Sequence, residues 1–290
     1  VKVIIIGAGR IGASFGYLLQ TGGHEIIGVK NKSKASAQRA VEKIGQGAAL
    51  SRQELVEKLK VADLVMVTTP DDKISEIVDY INSCQVNRDS VFMHMSGLLP
   101  AEILYGKEKK EKKENKRGVF SLHPLLSVPD FETGLKTLPE ANYVIEGSDQ
   151  GLKVGHKICR DLNLSWSSID PEKKPLYHAA AVLAANYLVT LIGCSYELLE
   201  EAGISDEKIK NSLLELSSGV LKNIKDKSPE SVLTGPVARG DWETVALHLE
   251  SIKKNNEDLV ELYRVLGKYT TRLIGKKNIF KGGGIDGQDS

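Results

Sequence analysis

Cysteine is scarce in this 290-residue chain: Cys84, Cys159 and Cys194 are three in number and far apart. An odd count without metal-type spacing excludes a disulfide framework and a zinc site, so no metal is expected and a reducing compartment suits the chain. Net charge is nearly absent too, +1 from 39 basic and 38 acidic residues, which leaves no global basic surface to attract nucleic acid. No uninterrupted apolar run approaches the roughly 20 residues needed to span a bilayer, and the chain opens on a strand rather than a signal peptide. The expectation is a cytoplasmic protein with no membrane partner and nothing of consequence ahead of its first strand.

What is present is ordinary globular composition, 41% hydrophobic and 27% charged, in a length that favours two domains at roughly 100–200 residues each. Val1–Ile6 is a β-branched run suited to a strand buried on both faces. Gly7-Ala8-Gly9-Arg10-Ile11-Gly12 follows it, then a helical stretch at Ile11–Gln20, a stop at Thr21-Gly22-Gly23 and a second strand at Glu25–Val29. Strand, glycine turn, helix and strand within about 30 residues form a dinucleotide-binding unit. The alternation continues through strands at Leu64–Thr68, Val91–His94, Val119–Leu122 and Tyr143–Ile145, with helices at Asp72–Asn82 and Gly151–Leu162. The fold class is α/β: an N-terminal Rossmann doubly wound parallel sheet plus an all-α C-terminal domain, whose helices are Leu176–Leu199, Asp206–Asp226 and Trp242–Ile274. The boundaries are 1–168 for the dinucleotide-binding domain, 169–278 for the helical domain, and 279–290 for a glycine-rich flexible tail. Lys107–Arg117, a Lys/Glu run, reads as a solvated insertion.

The three glycines of the turn serve different ends. Gly7 permits the tight turn, Gly9 clears the pyrophosphate and Gly12 lets helix and strand pack closely. The helix amino terminus, through Arg10 and Ile11 and the Ala8 backbone, offers N–H groups to an anion. An NAD site places an acid after the second strand, and here stand Lys30, Asn31, Lys32 and Ser33. Two cations and two hydrogen-bonding side chains suit a 2′-phosphate, so NADP (NADPH) is the expected cofactor. Thr68, Thr69 and Pro70, at the carboxyl end of a strand, face the ribose or pyrophosphate, or serve the fold, with Asp71 and Asp72 capping the next helix.

Four segments are the candidates for chemistry. His94-Met95-Ser96-Gly97 follows one strand, with Ser96 placed at the cofactor and His94 read as structural. Ser121-Leu122-His123-Pro124 follows another, and the proline holds His123 extended at the cleft mouth. His178 and Asn186, eight residues apart in Tyr177–Leu188, share one helical face among alanines that permit close approach, either aimed at a cleft or bonded to neighbours in the core. Arg239, in Leu233–Asp241, offers a fork for a substrate carboxylate or a turn-stabilising pair with Asp241.

These motifs together resemble the Rossmann-like family with a DUF2520 carboxyl-terminal domain, related to ketopantoate reductases, pyrroline-5-carboxylate reductases and 6-phosphogluconate dehydrogenases. The resemblance implies a homodimer through the helical domain. Against the Lys-x3-Asn-x3-Asn helix of ketopantoate reductases this chain has His178-x3-Val182-x3-Asn186, agreeing only at the last position. His123-Pro124 is similar to the His-Pro motif of prephenate dehydrogenases, and Asp170-Pro171-Glu172 resembles the segment before their helical domain.

The function expected is an NADP(H)-dependent oxidoreductase reducing a C=O or C=N bond of a small carboxylic acid, ketopantoate reductase-like. In it His178 donates the proton, with His123 as alternative, Asn186 orients the substrate and Arg239 binds its carboxylate. The competing expectations are a non-catalytic NADP(H) sensor and, further off, a prephenate or arogenate dehydrogenase-like enzyme.

Overall fold

The computed structural model describes residues 1–106 and 117–275. The expected insertion, apart from Arg117, and the expected tail at 279–290 lie outside those residues.

The strands are β1 (Lys2–Ile6), β2 (Glu25–Lys30), β3 (Leu64–Val67), β4 (Val91–His94), β5 (Val119–Pro124), β6 (Asn142–Gly147) and β7 (Ser165–Ser168). They form one sheet in the order β2-β1-β3-β4-β5-β6-β7. Helices α1 (Arg10–Thr21), α2 (Lys34–Ile44), α3 (Arg52–Leu59), α4 (Asp71–Ser83), α5 (Phe131–Thr137) and α6 (Asp149–Asp161) accompany it. Strand residues alternate between two cores: Val3 and Ile5 pack with Phe15 and Leu19, whereas Ile4 and Ile6 pack with Ile74 and Val78. Period-two alternation between two apolar layers explains why these strands read as unbroken apolar runs. Local chemistry sets the helix starts: Ser33 caps α2, Ser51 and Glu54 make a capping box for α3, and Ser148 caps α6.

The sheet is mostly but not wholly parallel, because β6 runs antiparallel to β5. Strand β7 has no apolar residue except Trp166 and is exposed at all four positions, so periodicity gave it no signal. Strand β5 extends through Pro124, placing His123 within the strand rather than after it.

Beyond the sheet come α7 (Lys174–Ala184), α8 (Asn186–Glu201), α9 (Glu207–Asp226), α10 (Pro229–Val232), α11 (Pro236–Arg239), α12 (Trp242–Asn255) and α13 (Asp258–Leu273). The helix expected at Leu176–Leu199 is interrupted at Ala185, whose φ of −115° and ψ of −63° depart from helical values. The interruption falls between His178 and Asn186, so the two no longer count as one uninterrupted helical face.

Two compact units result, Val1–Ala185 and Asn186–Ser290. The boundary lies beyond the expected residue 168 because α7 belongs with the sheet, to which the buried Lys174 ties it. In the second unit, Val245, Leu249, Ile252 and Val260 are the buried hydrophobic cluster. One helical run, Pro171–Glu201, is long and apolar enough by length and composition to cross a membrane, with a mean hydropathy of 1.5 in its apolar window. Glu172, Lys173, Lys174, Glu197, Glu200 and Glu201 charge its ends, and His178, Asn186 and Thr190 interrupt its apolar residues. Its early charge, Lys174, is buried in the first unit against Glu146.

Candidate functional site

Strand register places the site residues in one row. Lys30 pairs with Ile6, Ile6 with Val67, Val67 with His94, His94 with Ser121, and Ser121 with Glu146. Just past this row, at the carboxyl edge of the parallel strands where ligands bind in open α/β sheets, come Gly7, Thr68, Ser96 with Gly97, and His123.

At the β1 end the glycines divide by role. Gly7 has φ of +86°, and a Cβ there would stand 2.4 Å from Thr69 Cγ2. A Cβ on Gly12 would stand 2.3 Å from Thr68 Oγ1, so both glycines are demanded by the protein's own packing. Gly9 is different: a Cβ there would meet only the Gly7 carbonyl, at 3.9 Å. Its missing side chain is explained by an approaching ligand rather than by a neighbour. Helix α1 begins directly after it with no acid in its first turn, and the Thr69 hydroxyl is buried with no partner among the described residues. These features fit a dinucleotide pyrophosphate seated on the amino terminus of α1.

Several expected contacts are already spent within the protein. Asn31 Oδ1 accepts from the Ala8 N–H at 2.7 Å while its Nδ2 donates to the Ser36 carbonyl at 3.1 Å, bracing the glycine loop. Ser33 Oγ accepts from the Ser36 N–H as the α2 cap. The Thr68 hydroxyl donates to the Gly7 carbonyl at 3.0 Å. Ser96 Oγ donates to Asp71 at 2.6 Å and accepts from the N–H groups of Leu98 and Leu99, so it organises a turn. Asp71 is thus the partner of Ser96, and α4 has no side-chain cap. Lys30 and Lys32 line a cavity of about 600 Å³ with Gly7, Thr69, Pro70 and Lys73. Arg10 reaches the Pro129 carbonyl at 3.4 Å, and Ile11 packs against the core.

At the β4–β5 end, α7 brings Tyr177 and His178 to His123. The Tyr177 hydroxyl and His123 Nδ1 are 2.8 Å apart, and the rings of His123 and His178 meet edge-on with centroids 6.3 Å apart. Both rings press on Gly97, where a Cβ would lie 2.8 Å from His123 Nε2 and 2.9 Å from His178 Nδ1. That His178 nitrogen is buried without a partner among the described residues. Burial, with the His178 and Lys174 charges behind it, pushes His123 down to about 4. His94 is pushed to about 3 by burial and then by Lys174; its Nδ1 accepts from the Ser96 N–H and its Nε2 lies 3.3 Å from the Pro100 carbonyl. A neutral ring with both nitrogens on backbone is the structural role expected of it.

Beneath these rings lies Lys174, 1% exposed. Its ammonium donates to Glu146 at 3.0 Å, to the Ser96 carbonyl at 3.2 Å and to Ser121 Oγ. Burial holds it below the usual lysine value, with Glu146 opposing. Sequence reasoning missed Lys174, Glu146 and Tyr177. The available signal was an acid inside an apolar strand, Tyr143-Val144-Ile145-Glu146, which demands a buried partner. Asn186 opens α8 and Arg239 closes α11, both in the second unit. Arg239, with 64% of its side chain exposed, pairs with Asp241 at 3.8 Å, and Asp241 caps α12.

Residues 1–110 match the Rossmann-like domain model, and residues 141–270 match the model described as a domain of unknown function, DUF2520. The chain joins a Rossmann-like domain to a DUF2520 domain. The DUF2520 match begins just before β6, so it takes in Glu146, Lys174, Tyr177 and His178, while Ser96 and Gly97 lie in the Rossmann-like match. No curated protein matches the chain. Among solved structures, a Thermotoga maritima protein named without an activity is similar at 27% identity, with 94% of this chain and 98% of that one covered and a TM-score of 0.71. A Bacteroides fragilis protein named provisionally as an NADP oxidoreductase is 19% identical over 93% and 98%, with a TM-score of 0.74. A Plasmodium falciparum pyrroline carboxylate reductase with NADP bound is 14% identical over 94% and 98%, with a TM-score of 0.56. At these last two identities the likeness is one of fold.

Proposed function

We propose that this protein is an NADP(H)-dependent oxidoreductase that reduces a C=O or C=N bond of a small carboxylic acid. The observation that carries the reading is the convergence of the His123 and His178 rings on Gly97, on the same sheet edge as the glycine loop and the unpartnered Thr69 hydroxyl. Bound NADPH would supply the hydride, and the chain's own residues hold the dinucleotide and the proton. Gly7–Gly12 and Thr69 would seat the pyrophosphate and ribose. Lys30 and Lys32, with no acid at the end of β2, favour a 2′-phosphate and hence NADP over NAD. The provisional name and the bound cofactor of two similar structures agree with this reading.

The test is loss of NADPH absorbance with the full chain against a panel of 2-oxo acids, ketopantoate among them, and cyclic imino acids. Turnover of one acid that collapses in His123→Asn or His178→Asn is expected. Tight NADPH binding with no turnover across the panel would overturn the reductase reading in favour of a cofactor sensor.

A further inference from the structure

Two histidines compete for the role of proton donor, and the structure separates them. We propose that His123 delivers the proton from Nε2, and that Tyr177 is the positioning residue that fixes this tautomer and replaces the proton through Nδ1. The proposal rests on the reductase reading of the same site.

The geometry begins with the 2.8 Å contact between the Tyr177 hydroxyl and His123 Nδ1. A phenol is a stronger donor than a neutral imidazole N–H, and an imidazole nitrogen is a stronger acceptor than a phenol oxygen. Tyr177 therefore donates to Nδ1, which leaves the ring proton on Nε2. Nε2 is the atom turned toward Gly97. The other candidates lack this arrangement. His94 spends both nitrogens on backbone groups. His178 Nδ1 has no partner to fix its tautomer or to return a proton. Lys174 supplies the mounting: three residues before Tyr177, it is bound to the Ser96 carbonyl, Ser121 and Glu146, which fixes the first turn of α7 over the ends of β4 and β5.

A ring that titrates near 4 is neutral at neutral pH and holds one proton. Giving that proton away with nothing behind it would leave an imidazolate. With Tyr177 behind it the balance closes. Bound NADPH would supply a hydride to the carbonyl carbon, whose π pair would move to oxygen. The oxygen takes the Nε2 proton, Nδ1 takes the Tyr177 proton, and NADP⁺ and a phenolate remain. Burial raises the Tyr177 phenol above its usual value, yet an alkoxide is more basic still, so the transfer runs downhill. The phenol is only half-buried, so water can reprotonate it.

Nitrogen NMR of histidine-labelled protein reads the tautomer without any substrate, with His123→Asn identifying the signal. The wild type is expected to carry the Nε2–H form at His123. Tyr177→Phe, which keeps the ring, is expected to shift that signal toward the Nδ1–H form and leave NADPH affinity within about two-fold. On the substrate found, kcat is expected to fall about 100-fold or more. An Nδ1–H tautomer in the wild type, or a His123 signal unchanged in Tyr177→Phe, would overturn the proposal. Failure of every substrate in the panel counts against the reductase reading, whereas an Nδ1–H tautomer in the wild type overturns this assignment whatever the panel shows.

Discussion

Lys174 Nζ lies 3.0 Å from Glu146 Oε1, with 2% and 3% of the two side chains exposed. A buried ion pair is costly to assemble and more costly to halve, because removing one partner strands the other charge in a medium that solvates it poorly. Lys174→Met is expected to lower unfolding free energy by about 3–5 kcal/mol in urea titrations. The double variant Lys174→Met/Glu146→Leu should regain most of that, short of the bond Glu146 accepts from the Ala101 N–H. A single variant as stable as the wild type would refute this account of the cluster.

Gly9 and Gly12 should respond oppositely to one added methyl. Gly9→Ala meets no obstacle at φ of −79°, so stability should hold or rise by about 0.4–1 kcal/mol, while NADPH binding weakens more than about tenfold. Gly12→Ala drives a Cβ into Thr68 and the Gly7 carbonyl, an overpacking cost of about 1–3 kcal/mol. Thermal melts with and without NADPH separate the two effects. Normal binding by Gly9→Ala would remove the pyrophosphate from this loop.

Acid should weaken the fold through His94 and His123. Their unfolded rings take up protons near 6.5, and the folded rings only near 3 and 4. Between those limits the unfolded chain binds more protons, so falling pH favours it, by about 1.4 kcal/mol per pH unit for each ring. Above about 6.5 both states are neutral and the contribution is complete. Urea midpoints measured from pH 7 down to 4.5 should fall, and His94→Asn should lose one ring's share of the slope. A flat profile would mean that these rings are not held neutral by the fold.

Cofactor preference should turn on Lys32. Replacing it with glutamate sets a negative charge where a 2′-phosphate would sit, and the ratio of NADPH to NADH affinity should fall by at least about tenfold, or 1.4 kcal/mol. An unchanged ratio in fluorescence titrations would locate the discrimination elsewhere.

Helices α8 and α9 contain no buried residue. Val189 is 73% exposed and Leu216 70%, and among the described residues the second unit's buried hydrophobic cluster is only Val245, Leu249, Ile252 and Val260. A second copy of the chain is the expected cover, so light scattering should return the mass of a dimer; a monomer at micromolar concentration would refute it.

The glycine loop and the strands on either side of it were legible because they follow from local pattern: a β-branched run, three glycines at fixed spacing, a stop and another strand. The histidine pair was half legible. His123 and His178 each stood out, but nothing in the sequence says that residues 55 positions apart share a glycine. Lys174 was illegible for a different reason. In Glu172-Lys173-Lys174 it reads as one of several solvated charges, and only the pairing of β5 with an antiparallel β6 sets Glu146 beside Ser121 and makes a place for an ammonium. The internal bonds of Asn31, Ser33 and Ser96 were not legible, because capping and turn bonds are decided by backbone geometry rather than residue type.

Gly97 gives this architecture a signature that can be read without coordinates. One methyl there would lie within 3 Å of the rings of both His123 and His178, so any side chain at position 97 has to move them. Under the proposed function, related chains that keep the glycine loop but carry a side chain at this point are expected to bind the dinucleotide without reducing the acid, so a single letter would sort them.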